Sequence, residues 1–378
     1  MTSAQNWPQP LAGVRILDFS VLLPGPYCTY LLQQMGAEVI KIEPPGGDPV
    51  RGMNPLSFSL LNRGKKSVCL DAKAPESVEF LLRMADDADV VIEGFRPGVM
   101  AGLGLGFEAM RERNPHLIYA SISGYGQDGP YANRPGHDIN FIAAAGYFAS
   151  TLDLDDATMQ RPRLRIADYF AAMSTAFSVA SLLRTPRAQR SATRVDASMF
   201  DTLASLTLPS ILGMTPESAA DPTVRADVLA DVAVYRTADG QALSIGTLED
   251  KFWHAVVAAL RERFPQIADP AWSARQGRTR DKRRLAQLLR EVFGSLTLAE
   301  IETLLPADQL CWMPVLRGTD LLQDPQVLAR GLLTQTPRGL EPSSAVALNG
   351  QRAPAAEPAP ELGQHNAEFQ QAYRVAAG

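Results

Sequence analysis

Four histidines occur in 378 residues, and one of them, His137, stands beside Asp138 at the mouth of an apolar run, GHDINFIAAAG (136–146). Imidazole changes charge near neutral pH, so such a histidine suits a proton carrier. The same His–Asp pair also suits a polar start to a helix. Two carboxylates share the ambiguity. Asp168, in RLRIADYFAAM, stands before an Ala-rich helical stretch, and Glu249, in SIGTLEDKF, falls where a strand gives way to a helix; both positions suit an N-cap. Gathered around a carbon next to a carbonyl, the three groups could remove a proton from one face and return one to the other, which takes two separate acid/base groups. A carboxylate such as Glu249 could orient the imidazole, and burial would raise the pKa of Asp168. An enolate oxygen would need donors, most simply backbone N–H groups at a helix start such as that after Asp168. Spacing alone does not join the three into a site, and Asp138 is expected to be structural.

Other chemistries are poorly served. GLGLGF (102–107) follows a Pro-Gly turn, whereas a dinucleotide fingerprint runs from a strand through GxGxxG into a helix, so no nicotinamide site is expected. Cys28, Cys69 and Cys311 are odd in number and widely spaced, which points to reduced thiols in a cytoplasmic protein and to no metal site. A formal net charge of -5 argues against nucleic acid as a partner, though it leaves room for a polyanionic small molecule held by local arginines. No uninterrupted stretch of the ~18 apolar residues that a membrane span needs is expected, so no membrane partner is either.

The elements that must position these residues follow from periodicity. VRILDF (14–19), AEVIKIE (37–43), KSVCL, ADVVIEGF and LIYASIS read as apolar strands, alternating with helical patterns such as PYCTYLLQQMG and PESVEFLLRMADDA. That alternation predicts an α/β fold with a parallel sheet covered on both faces over roughly the first 130 residues. From residue 136 the texture turns to Ala-rich helix, including ADYFAAMSTAFSVASLLRT and DASMFDTLASLTLPSILGM. A polar gap predicts a linker at 215–227 between a large domain (1–214 with 331–378) and a small domain (228–330). The small domain opens on a hairpin turning near Asp239–Gly240. The Pro- and Ala-rich tail is expected to run extended into a short amphipathic helix.

As an ensemble, LAGVRILDFS, LPGPYCTYLLQQMGAEVIKIEPPGGDPVRG, VIEGFRPGVMAGLGLG, LIYASISGYGQDGPYANRPGHDINF, ASMFDTLASL and DPQVLARG resemble the class III coenzyme A-transferase family, which includes formyl-CoA and carnitine-CoA transferases and the α-methylacyl-CoA racemases. The resemblance implies a Rossmann-like large domain, a small α+β domain, a C-terminal segment that returns to the large domain, and an obligate homodimer of two chains threaded as interlocked rings. It implies acyl-CoA as substrate, with no metal and no nicotinamide cofactor. GHDINF resembles a racemase segment and GTLEDKFW a second one, so His137, Asp168 and Glu249 fall on racemase acid/base positions. In transferases the residue matched by Asp168 attacks the thioester to form a mixed anhydride. Around the aspartate, ADYFAAM stands where racemases carry a glycine-rich run, and ADYF is closer to the carnitine-CoA transferases. The loop EGFRPG nominates Gly94, Phe95 and Arg96 as CoA contacts. Relatives carry arginines where this chain has Pro44 and Gly102, so Arg51, Arg63 or Lys65 would have to substitute. Three readings stay open: an α-carbon racemase of 2-methylacyl-CoA, a CoA-transferase, and a non-catalytic acyl-CoA binder.

Overall fold

A computed structural model of the chain describes residues 7–150, 162–216, 229–306 and 310–373. Six short strands form its main sheet: β1 (Arg15–Asp18), β2 (Glu38–Glu43), β3 (Lys66–Cys69), β4 (Val90–Glu93), β5 (Ile118–Ser123) and β6 (Thr193–Ser198). All neighbours are parallel, in the order β3-β2-β1-β4-β5-β6, which is the doubly wound order of dinucleotide-binding sheets. Side-chain alternation gives the sheet two buried faces. Ile16, Val90, Ile118 and Ala120 pack against Cys28 and Leu32 of helix Pro24–Gln34 and Ala171 and Ala172 of helix Ile166–Leu183. Leu17, Ile40, Val91 and Tyr119 pack on the other side against Leu81 and Met84 of helix Pro75–Asp87 and against Met110.

Two expectations need correction. Residues 193–198 form the sixth strand, not the start of a helix; the helix follows at Met199–Leu212. The strand hides in the pattern because it is an edge, with Arg194 and Asp196 exposed, as edge strands commonly are. In addition, helix Ile166–Leu183 is an 18-residue segment of mean hydropathy 1.4, long and apolar enough by composition to cross a membrane. Here Ala167, Asp168, Ala171, Ala172, Thr175, Ala176 and Val179 form its buried face, and small side chains let it lie close against the sheet.

Contacts divide the chain into two units. One draws on Met1–Phe148, Gln160–Pro209 and Gln326–Gly378, the other on Ala149–Met159 and Ser210–Pro325. The linker expected at 215–227 falls almost wholly outside the described residues. The second unit holds an antiparallel sheet of β7 (Val232–Arg236), β8 (Ala242–Gly246) and β9 (Trp312–Pro314), with its first hairpin turning through Asp239–Gly240 as its sequence suggests. Trp253, Trp272, Leu289 and Phe293 fill its core. In the first unit the tail covers the open edge of the large sheet. The N–H of His365 donates to Ser67 O (3.0 Å), and the N–H of Cys69 donates to Asn366 Oδ1 (2.7 Å). A short helix, Asn366–Ala372, ends the described chain.

Between the carboxyl ends of β1 and β4 the direction of winding reverses. On the β2 side of β1, Lys65 Nζ meets Asp18 Oδ2 at 3.1 Å and Lys41 Nζ meets Asp48 Oδ2 at 2.9 Å, all four side chains fully enclosed. Burial pulls the Lys65 ammonium down to about 8 even though Asp18 supports its charge. Burial alone would raise the Asp18 carboxyl, but Lys65, Lys41 and the hydroxyls of Ser20 and Thr29 hold it below its ordinary value. The cluster fixes the loop that leaves β1. Lys41 Nζ donates to Ser20 O (2.8 Å), and Leu22, with φ 67°, donates its N–H to Asp48 Oδ1 (3.4 Å). A Cβ on Gly25 would fall 2.1 Å from that of Ser20, so the turn tolerates no side chain there. Replacing Lys65 with Met strands the Asp18 carboxylate in the interior. The expected cost, read by denaturant unfolding, is about 3–5 kcal/mol, and Asp18→Asn in the same chain should recover part of it.

Candidate active site

Helix Ile166–Leu183 begins without a capping side chain of its own; Arg165 holds the N-cap position. The cap comes from elsewhere in the chain. Asp138 Oδ1 accepts the N–H of Ala167 at 2.8 Å and that of Asp168 at 3.3 Å. A carboxylate at a helix N-terminus is favoured by the unpaired amides and the macrodipole. Asp138 is therefore structural, as anticipated, and its structural work is to tie the GHDINF segment to the helix that bears Asp168.

Asp168 occupies the first turn of this helix, inside it and not at its cap, and is only 8 % exposed. Among the described residues its carboxylate accepts no hydrogen bond. Burial, and after it the charge of Asp138, push the Asp168 carboxyl up to about 7, against the pull of Arg165. Two carboxyls at one helix start thus divide their duties: Asp138 receives the amides, and Asp168 is left able to gain or lose a proton near neutrality. The bulkier residue after it, Tyr169, packs edge-on against Tyr27 with ring centroids 4.8 Å apart.

His137 is the N-cap residue of helix Asp138–Ala144 and is exposed; its N–H donates to Asn140 Oδ1 at 3.0 Å. Because its neighbour Asp138 binds the Asp168 amide, His137 and Asp168 belong to one locale. Glu249 lies in the other unit, as N-cap residue of helix Asp250–Leu260, exposed and making no side-chain cap bond. The donors anticipated for an enolate oxygen at the start of the Asp168 helix are already engaged. The Ala167 and Asp168 amides serve Asp138, and the Tyr169 amide donates to Arg165 O at 3.1 Å.

The residues nominated to hold CoA separate into exposed and committed groups. Gly94, Phe95 and Arg96 follow β4 at the winding reversal; Gly94 and Arg96 are exposed, and a Cβ on Gly94 would touch that of Ser20 at 3.5 Å. Phe95 donates its N–H to Glu93 Oε2 (2.8 Å). A crevice outside the carboxyl ends of the strands at such a reversal is where open α/β sheets bind ligands. Arg51 pairs with Glu43 through two bonds of 2.8 Å and covers the Phe58 ring. Arg63 is buried against Glu341, Pro342 O and the Tyr30 hydroxyl. The Lys65 ammonium is enclosed with Asp18 and has no exposed surface to offer a nucleotide. The sequence could nominate Lys65 for CoA because nothing in RGKKS distinguishes an enclosed lysine from one free to meet a ligand.

The chain matches the profile of CoA-transferase family III over residues 11–366. It is similar to the probable fatty acyl-CoA transferase Rv3272 of Mycobacterium tuberculosis, at 31% identity with 96% of this chain and 98% of that protein covered. A crystal structure of Rv3272 superposes with a TM-score of 0.83, at 30% identity, over 96% of this chain and 100% of the other. Succinyl-CoA–D-citramalate CoA-transferase of Chloroflexus aurantiacus is 31% identical over 87% of this chain and 84% of its own. Human α-methylacyl-CoA racemase is 29% identical over 95% of this chain and 92% of its own.

The two-carboxyl helix start makes a signed prediction. The folded-state pKa of Asp168, about 7, lies above its unfolded value, so the stability it contributes is full below about pH 4 and lost as pH rises through about 7. Asp168→Asn removes the titration. Thermal melts of the variant should gain on wild type by on the order of 2–3 kcal/mol between about pH 5 and pH 8. Asp138→Asn keeps an oxygen for the amides and removes the like charge, so the pH at which Asp168 titrates should fall.

Proposed function

The chain belongs to CoA-transferase family III, whose members include CoA-transferases and acyl-CoA racemases, and on that premise we propose that it inverts the α-carbon of a 2-methylacyl-CoA thioester. The observation that carries the reading is the Asp168 carboxyl, buried at a helix start and pushed up to about 7. A group that exchanges protons at neutral pH suits general acid–base work at a weakly acidic carbon. In one direction the Asp168 carboxylate takes the α-proton and the electron pair moves into the thioester as an enolate. His137, as imidazolium, returns a proton to the opposite face and becomes neutral. The reverse inversion uses the same two groups with their roles exchanged. Gly94, Phe95 and Arg96 contact the CoA. The reaction consumes no co-reactant and needs neither metal nor nicotinamide.

The same reading carries self-association as an interlocked homodimer. Phe170, Met173 and Phe177 are exposed on the outer side of the Asp168 helix, an apolar strip of the kind subunit interfaces cover.

A second reading has its own support. The sequence around the aspartate, ADYF, and the transferase names of several relatives favour CoA transfer between carboxylic acids, with Asp168 as nucleophile. One experiment separates the two. The protein is incubated with 2-methylacyl-CoA in D₂O with no acceptor acid, and the α-carbon is followed by mass spectrometry. The racemase reading expects deuterium at the α-carbon, and expects His137→Ala to abolish inversion by at least ~100-fold. No incorporation, with CoA transfer once carboxylic acids are added, gives the reaction to the transferase; there Asp168→Ala is the lethal change and His137→Ala a mild one.

A further inference from the structure

The segment PRLR (162–165), which leads into the Asp168 helix, carries two arginines that proton transfer leaves unused. Arg163 and Arg165 are exposed, and among the described residues neither side chain enters an ion pair or donates a hydrogen bond. The place is unfavourable for a cation. Unpaired amides and the macrodipole make a helix start positive, so acidic side chains belong there and basic ones at the other end. The two acids at this start leave both guanidiniums without a partner. Asp138 is buried and gives its Oδ1 to the amides of Ala167 and Asp168. Asp168, 8% exposed, accepts no hydrogen bond among the described residues.

Arg165 is the N-cap residue, and Asp168 stands three residues on, in the first turn. Side chains at these two positions lie on one side of a helix start, which is why they serve one another in a capping box. Residues so spaced have Cβ atoms about 5–6 Å apart. The guanidinium is near enough for its charge to pull on the Asp168 carboxyl, but it does not reach it as an ion pair. A planar fork of donors therefore stands beside the buried carboxyl with its hydrogen bonds unmade.

We propose that Arg165 selects the acyl group, and that the acyl group carries a second carboxylate roughly one to three bonds beyond the α-carbon. With the α-carbon at Asp168, the Arg165 fork donates two hydrogen bonds to that carboxylate, and Arg163 adds to the positive field. The inference rests on the acyl group meeting Asp168, which the racemase and transferase readings share.

The test is calorimetric titration of the full chain with two CoA thioesters that differ at one group. One is 2-methylsuccinyl-CoA, with its thioester beside the methyl-bearing carbon; in the other, 2-methylbutyryl-CoA, a methyl group replaces the free carboxylate. The dicarboxylic ester should bind at least about tenfold more tightly, the gain expected from hydrogen bonds between charged groups. Arg165→Gln should erase that ratio. Because the variant also loses the pull on Asp168, the ratio of the two affinities is the readout, and neither affinity alone. Circular dichroism melts accompany it, and Arg165→Met, which keeps the apolar stem, replaces it if it does not fold. Equal affinities in the wild type, or a preference that survives in the variant, would overturn the proposal and leave the thioester site standing. An equal loss for both esters and for free CoA would overturn it too, since Arg165 would then hold a CoA phosphate. If neither ester binds, the proposal falls together with the reading it rests on.

Discussion

Two carboxyl groups cannot both be ionised cheaply at one buried helix start, and the candidate site is arranged around that constraint. Asp138 takes the amide hydrogen bonds of the helix, at 2.8 and 3.3 Å, and so holds its charge in the favourable place. Asp168, in the first turn of the helix so capped and equally enclosed, accepts no hydrogen bond among the described residues, and burial makes its proton correspondingly hard to remove. The cap has a second consequence. Since Asp138 is covalently next to His137, the bond that starts the helix also determines where the imidazole stands relative to the Asp168 carboxyl. Stability of the helix start and placement of the two candidate groups therefore rest on one interaction. It also closes an option, because amides that cap through Asp138 are no longer free to stabilise an enolate oxygen.

The loop that leaves β1 at the winding reversal is held by a different buried charge arrangement. Lys41, Lys65, Asp18 and Asp48 form two enclosed pairs at the ends of β1 and β2. Such pairs add little net stability compared with apolar packing, but each member is costly to orphan. What they do locally is hold a loop that would otherwise relax: Leu22 keeps a left-handed backbone, and Ser20 is pinned through its carbonyl. The glycine of the next loop, Gly94, lies against Ser20. The two loops that follow β1 and β4 at the winding reversal are thus braced against each other.

Much of this was legible in the sequence. The first five strands are short apolar runs flanked by turn residues, and a parallel sheet covered on both faces is what such runs require. β6 was not, because an edge strand carrying Arg194 and Asp196 lacks the apolar signature, and the neighbouring Ala-rich helix absorbed its last residues. His137 and Asp168 could be nominated from residue type and resemblance to known segments, but neither reveals that Asp138 joins them, since that contact spans 30 residues. The fates of Arg51, Arg63 and Lys65 were equally hidden. A basic residue looks the same in sequence whether it faces solvent, stacks on Phe58, or is sealed with Asp18. Long-range pairing decides which, and pairing is a property of the fold.

The account turns on Asp168 being a carboxyl that exchanges its proton near neutrality. The most direct measurement is an infrared difference titration of the wild type against Asp168→Asn, following the carbonyl band of a protonated carboxyl from about pH 5 to about pH 9. A band present at the acid end in the wild type alone, fading with a midpoint near 7, is the expected result. If the band is missing at every pH, Asp168 is already ionised throughout, and the proton-exchange role assigned to it is wrong.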